Sequence, residues 1–460
     1  MHPVPSDNYI FTETAQPSTE ARGRALLVAY KFPPHDVGVA QHRPEGLYRH
    51  LGEYGWTCDV ITAERPGTAA DVVQTADRSW TRSVKEEGTA EAALKQRLTN
   101  GSRTGLGPFR RRLISNIKLL MRLQPKWHDE FAGWSYSIRE TILTTARERG
   151  SEVLWVTCSP YTLAPVAVDC ARKLGIPCVI DLRDPLPHYL HFPRGTGHWF
   201  YRALAAADAV TAAAPCCITE ELLQVRTSAE RPGIVEIPSG AWQHERVAMQ
   251  PAEQFTLLHA GTLVGGGRSP QPLFEAVAML RERIPELARD LRMLFIGGDS
   301  GVVRDFPGYE AVSSQVEIHG QKPYSEVKQL MATAAMLVII KLDGDVYSDA
   351  LPAKMYDYLA YEAPVLSFGM GAGLQGPLLE WSNAGRWLGS AAEIASFIEE
   401  HYRIWQRDGG VRRERNSEAI RYLGQPRMAG DFAAVFEAVK HGRAIKEMTV
   451  LPWGQDSRGA

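Results

Sequence analysis

Short runs of four to six residues rich in Val, Ile and Leu alternate along the chain with longer stretches of helical period. The short runs predict strands at 25–29, 57–62, 153–157, 178–182, 209–212 and 234–237. A second series follows at 256–259, 291–296, 316–319, 337–340 and 365–368. Strands apolar on both faces and separated by helices predict parallel sheets covered on both sides. No short internal period of the solenoid kind interrupts the pattern. Between 238 and 253 the periodicity lapses, and Pro238, Ser239 and Gly240 cluster there. The expected fold is therefore α/β, with two Rossmann-like doubly wound parallel-sheet domains. The expected division is a flexible arm over 1–22, a first domain over 23–240, a second over 241–425, and a closing segment over 426–460. Helices are expected at 394–405 and at 428–439, the latter with Phe432, Val435, Phe436 and Val439 on one face.

Composition narrows the class without naming a function. A chain of 460 residues with 44% hydrophobic and 23% charged residues has ample material for two or three buried cores. The net charge of -2 gives no global attraction to nucleic acid, so an anionic ligand must be met by local cations. The first 24 residues show no basic region followed by an apolar run, and no window approaches the ~20 apolar residues of a membrane-spanning helix. A cytoplasmic protein is expected. The six cysteines lie in apolar runs without CxxC spacing, which predicts reduced, buried thiols. The histidines show no HExxH or paired spacing, so no metal site is expected.

One stretch departs from this rhythm. From Ala92 to His128 there is no acidic residue, while Arg103, Arg110, Arg111, Arg112, Lys118, Arg122 and Lys126 stand among Phe109, Leu113, Ile117 and Leu120. On a helix this pattern suits an anionic membrane surface, and 103–126 is the candidate peripheral contact with its inner face. An ordinary solvated surface helix fits the same pattern.

Ligands of open α/β sheets collect outside the carboxyl ends of strands, and four such places carry chemistry. The loop after the first strand holds His35 and Gly38, with backbone amides able to face an anion or a sugar. Asp181, Arg183 and Asp184 stand at the end of a later strand; they pair together or point into a cleft. At the start of the second domain, Gly261, Thr262 and the Gly265–Gly267 run precede Arg268, an arrangement suited to a diphosphate or to a merely flexible loop. Finally, Asp349 precedes Pro352, and Lys354 and Asp357 share one face of the helix that follows. A carboxylate there can accept both hydroxyls of a ribose, and a lysine can meet phosphate; a capped helix with a surface ion pair is the plainer reading.

The order of these motifs, from "RALLVAYKFPPHDVGVAQHRPEGL" through "IPSGAW" and "LLHAGTLVGGGRSPQPLFEAV" to "LPAKMYDYLAYEAPVLSFG", resembles family-four-like GT-B glycosyltransferases over about Ala25 to Val439. The resemblance implies two domains facing across a cleft and a last helix crossing back to the first domain. It implies a nucleotide-diphosphate sugar of the UDP, GDP or dTDP type as donor, and an acceptor held by the first domain. It further implies retention of anomeric configuration, with no permanent cofactor. Arg268 and Lys354 would face the diphosphate, Asp357 the ribose, Asp349 the donor sugar, and Gly38 the transferred group. Gly261 and Thr262 would belong to the nucleotide site, and His35, Asp181 and Arg183 to the acceptor side. Asp349, Arg268 and Asp184 are the candidate catalytic groups. Two departures stand out: aspartates at 349 and 357 where the family carries glutamates, and Arg183 where many members carry histidine. Two alternatives to a transferase are a GT-B-shaped partner subunit without catalysis and a nucleotide-sugar epimerase or hydrolase of the same architecture. If 103–126 binds membrane, the acceptor becomes a lipid-linked or envelope glycan.

Overall fold

The computed structural model describes residues 16–34, 41–78, 129, 131–184, 199–228, 234–241, 247–250, 252–263, 267–298, 300–342 and 351–443. The basic stretch 103–126 lies outside the described residues, as do His35, Gly38 and Asp349.

Seven strands form the first sheet: β1 (Ser18–Val28), β2 (Tyr54–Ala63), β3 (Val73–Thr75), β4 (Val153–Cys158), β5 (Cys178–Leu182), β6 (Ala209–Ala212) and β7 (Val235–Glu236). Six form the second: β8 (Phe255–Ala260), β9 (Leu291–Ile296), β10 (Val316–His319), β11 (Met336–Ile340), β12 (Val365–Phe368) and β13 (Gly385–Trp387). The strand orders are β3-β2-β1-β4-β5-β6-β7 and β10-β9-β8-β11-β12-β13. Every pairing within both sheets is parallel. Each order reverses direction once, between β1 and β4 and between β8 and β11, and a crevice opens at such a reversal. Two of the four edge strands, β3 and β13, are additions to the expected set. Strand β1 begins at Ser18, well before the apolar run at 25–29, because its first residues are largely exposed and leave no hydrophobic trace.

Apolar clusters cover both faces of each sheet. One face of the first sheet is closed by the helix Gln425–Lys440 from the far end of the chain. Phe436 meets Trp56 at 5.5 Å and Phe432 meets Trp155 at 5.8 Å, both edge-to-face. Such aromatic pairs contribute about 0.5–1.5 kcal/mol each beyond the area they bury.

The chain therefore crosses between the sheets twice, and the crossings touch. Ala241 bridges Gly424 in parallel, and Gln425 Nε2 donates to the His42 carbonyl at 2.9 Å. Gly240 permits this approach: a Cβ there would lie 2.6 Å from the Gln425 Cα. None of the described helices is long and apolar enough to cross a membrane.

Candidate functional site

The carboxyl ends of both sheets border one cleft of about 360 Å³. From the first sheet come Lys31 after β1, Ser159 after β4, and Arg183 and Asp184 after β5. From the second come Arg268, Lys341 after β11, and Asp357 on the helix Ala353–Leu359. Four of these seven side chains are cations, and they approach from both sides. In a cleft walled by protein the fields of such cations reinforce one another and favour an anion.

On the second-domain side, the turn after β8 organises the charges. Arg268 Nη1 donates to the Thr262 carbonyl at 3.0 Å, so that the loop's own backbone aims the guanidinium. The Lys354 amine lies against Gly261, whose φ of +137° belongs to glycine; a Cβ there would sit 2.6 Å from Nζ. The same amine donates to His259 Nε2 at 3.4 Å. Asp357 is buried in the cleft wall and accepts a hydrogen bond from Tyr324. Burial pushes its carboxyl up to about 7, against the opposing pull of the Tyr324 bond and the Lys328 charge. Across the cleft, the His42 ring meets Tyr324 at 5.7 Å. Burial, with a smaller push from Lys328, holds His42 down to about 4, so it faces the site uncharged at neutral pH.

Asp181 behaves differently from expectation. It is fully buried, and Arg43 grips it with two bonds of 2.8 and 2.7 Å while Thr157 and Thr211 donate at 3.1 and 2.7 Å. Its place in substrate binding is therefore corrected: its acceptors are saturated inside the domain, and its partner is Arg43 rather than the adjacent Arg183. Arg183 instead donates to the carbonyls of Cys158 and Ser159 at 3.3 and 3.2 Å, tying the ends of β4 and β5 together at the cleft rim.

The sequence matches no family model and no curated protein. The structure does have counterparts. A glycosyltransferase from Rickettsia africae superposes with a TM-score of 0.57 at 11% identity, covering 92% of this chain and 99% of the other. An α,α-trehalose 6-phosphate synthase from Burkholderia multivorans superposes at 0.50 and 11% identity, covering 94% of this chain and 100% of the other. The fold is GT-B. A structural likeness at identity this low shows the fold alone and leaves activity to the site.

Within the GT-B cleft, Arg268, Asp357, Arg183 and Asp184 come together as lining groups; Thr262 is bonded to Arg268, and Lys354 lies against Gly261 outside the lining itself. The sequence reading missed Lys31, Lys341, Arg43, His42, Tyr324 and His259. A usable signal existed for two of them: Lys31 and Lys341 are charges set just beyond apolar strand runs, where open sheets bind ligands. Of the others, His42 and Arg43 line the GT-B cleft while Tyr324 and His259 stand behind it, all through contacts between segments far apart in sequence, which no local pattern records. Among the described residues no group of His, Cys, Asp or Glu is placed to hold a metal ion.

Proposed function

We propose that the chain is a nucleotide-sugar-dependent glycosyltransferase that binds a nucleoside diphosphate sugar between its domains and passes the sugar to an acceptor held by the first. The convergence of cations from both sheets on a cleft with one buried carboxylate carries this reading. A diphosphate needs charge-assisted donors, and Arg268 with Lys354 supplies them from one loop and one helix. A ribose needs an acceptor for two hydroxyls, and Asp357 supplies it on the wall of the same cleft. Cations on the first-domain side, Lys31 and Arg183, meet the charge that develops on the departing diphosphate as the domains close. Asp184 stands on the acceptor side. Asp349, Gly38 and His35 enter the proposal on the resemblance alone, as does retention of configuration. The shared fold with a glycosyltransferase and a trehalose-phosphate synthase supports the class by analogy only.

Calorimetry with UDP, GDP and dTDP on the wild type and Arg268→Ala tests the donor site. One nucleotide is expected to bind at micromolar Kd, with a roughly 10- to 100-fold loss in the variant, the worth of about 1.5–3 kcal/mol for a hydrogen bond to a charged group. If none binds, the non-catalytic partner-subunit reading takes its place.

For the acceptor we propose a lipid-linked glycan, on the strength of the basic and apolar residues of 103–126. The protein is expected to float with phosphatidylglycerol vesicles at low salt, to leave them at high salt, and to ignore pure phosphatidylcholine. Absence of flotation under all conditions would favour a soluble acceptor.

A further inference from the structure

We infer that His259 is a positioning residue: buried behind the diphosphate subsite, it holds the Lys354 ammonium in place as an uncharged hydrogen-bond acceptor. The identity of the ligand rests on the proposed donor reading, whereas the histidine–lysine contact rests on geometry alone.

His259 lies on β8 and is 2% exposed. Its Nδ1 stands 3.0 Å from the Val338 carbonyl on the neighbouring strand β11. A carbonyl only accepts, so Nδ1 carries the proton, and in the neutral ring Nε2 is left with its lone pair. That lone pair faces Lys354 Nζ at 3.4 Å. Burial, aided by the charges of Lys354 and Arg268, holds the imidazole well below its usual value, and the Val338 bond only partly opposes this. The ring is thus fixed as neutral from both ends.

The choice of acceptor matters. An aspartate or glutamate at this position would hold the amine but cancel its charge, removing what a diphosphate requires. An apolar residue would preserve the charge but offer the amine no acceptor on this side. A neutral imidazole fixes the amine and keeps the charge available. Gly261, two residues along the chain, completes the arrangement by leaving room for Nζ where any side chain would displace it.

Two measurements test the inference on the full chain. In selectively 15N-histidine-labelled wild type, His259 is expected as the neutral Nδ1–H tautomer throughout pH 6–8, with its Nε2 resonance displaced in Lys354→Met. An Nε2–H tautomer, or a resonance indifferent to Lys354→Met, overturns the contact whether or not any nucleotide binds and whether or not a histidine variant folds. The second measurement reads function with whichever of UDP, GDP or dTDP binds, and with its parent nucleoside. His259→Phe is expected to weaken the diphosphate about tenfold and to leave the nucleoside unchanged. In the Lys354→Met background, His259→Phe should have no further effect. Equal loss for diphosphate and nucleoside, or additive losses in the double variant, would show that the histidine only supports the core. Failure of the wild type to bind any nucleoside diphosphate would defeat the donor reading, and the tautomer would still decide the contact.

Discussion

Replacing Arg43 by methionine is expected to lower the melting temperature of the first domain by about 10 °C, measured by differential scanning calorimetry. Arg43 and Asp181 have side-chain exposures of 2% and 0% and face each other with two parallel bonds. The guanidinium also donates to the Ile237 carbonyl at 2.8 Å and lies 4.9 Å from the Phe432 ring. One side chain thus joins the first described helix, the centre of the sheet, the segment leading to the crossing, and the last helix. Removing one partner of such a pair strands the other charge without solvent, which costs about 3–5 kcal/mol. For domains of this size each kcal/mol moves the midpoint by roughly 2–4 °C. Arg43→Met combined with Asp181→Leu should recover more than half of the loss, since no charge is then left buried. A shift of a degree or less in the single variant would mean that water reaches Asp181, and the argument would fail.

The second large effect is a pH dependence. Ribose hydroxyls donate, so Asp357 must be ionised to receive both of them. With its carboxyl pushed up to about 7, the ionised fraction falls about tenfold for each pH unit below that point. Nucleotide affinity is therefore expected to rise between pH 5 and 8 and to level off above. Asp357→Asn should bind weakly with a much flatter profile; ionisation of the nucleotide's own phosphate is common to both proteins and drops out of the comparison. Stability runs the other way. The folded protein retains a proton on Asp357 that the unfolded chain releases near pH 4, so the contribution of this group is complete below pH 4 and is lost as pH rises through 7. Heating curves of the ligand-free protein, wild type against Asp357→Asn, should diverge in that direction. Parallel binding profiles for the two proteins would remove Asp357 from the ribose site.

Much of the fold was readable because its strands are continuous apolar runs. Met336–Ile340 needs no context to be seen, being apolar throughout and buried from end to end. The short β3 and β13, three residues each and partly exposed, carry too little pattern to register. For the site, the glycine turn before Arg268 and the Lys354–Asp357 spacing pointed to residues that lie on or beside one wall of the cleft. Asp181 misled because a charge near the end of a strand looks the same whether it faces ligand or a partner 138 residues away. The tyrosine that donates to Asp357 and the histidine behind Lys354 were invisible for the same reason.

The packing of Gln425–Lys440 on the first sheet also sets an order of assembly. Domains of a growing chain usually fold as they leave the ribosome, the amino-terminal one first. Here Trp56 and Trp155 wait for Phe432 and Phe436, which are translated only after the whole second sheet. At roughly 5–20 residues per second that interval is on the order of ten seconds or more. During it one apolar face of the first sheet stays uncovered, so this is a chain whose first half is completed by its last turns, and whose nascent form offers chaperones a target that the finished protein hides.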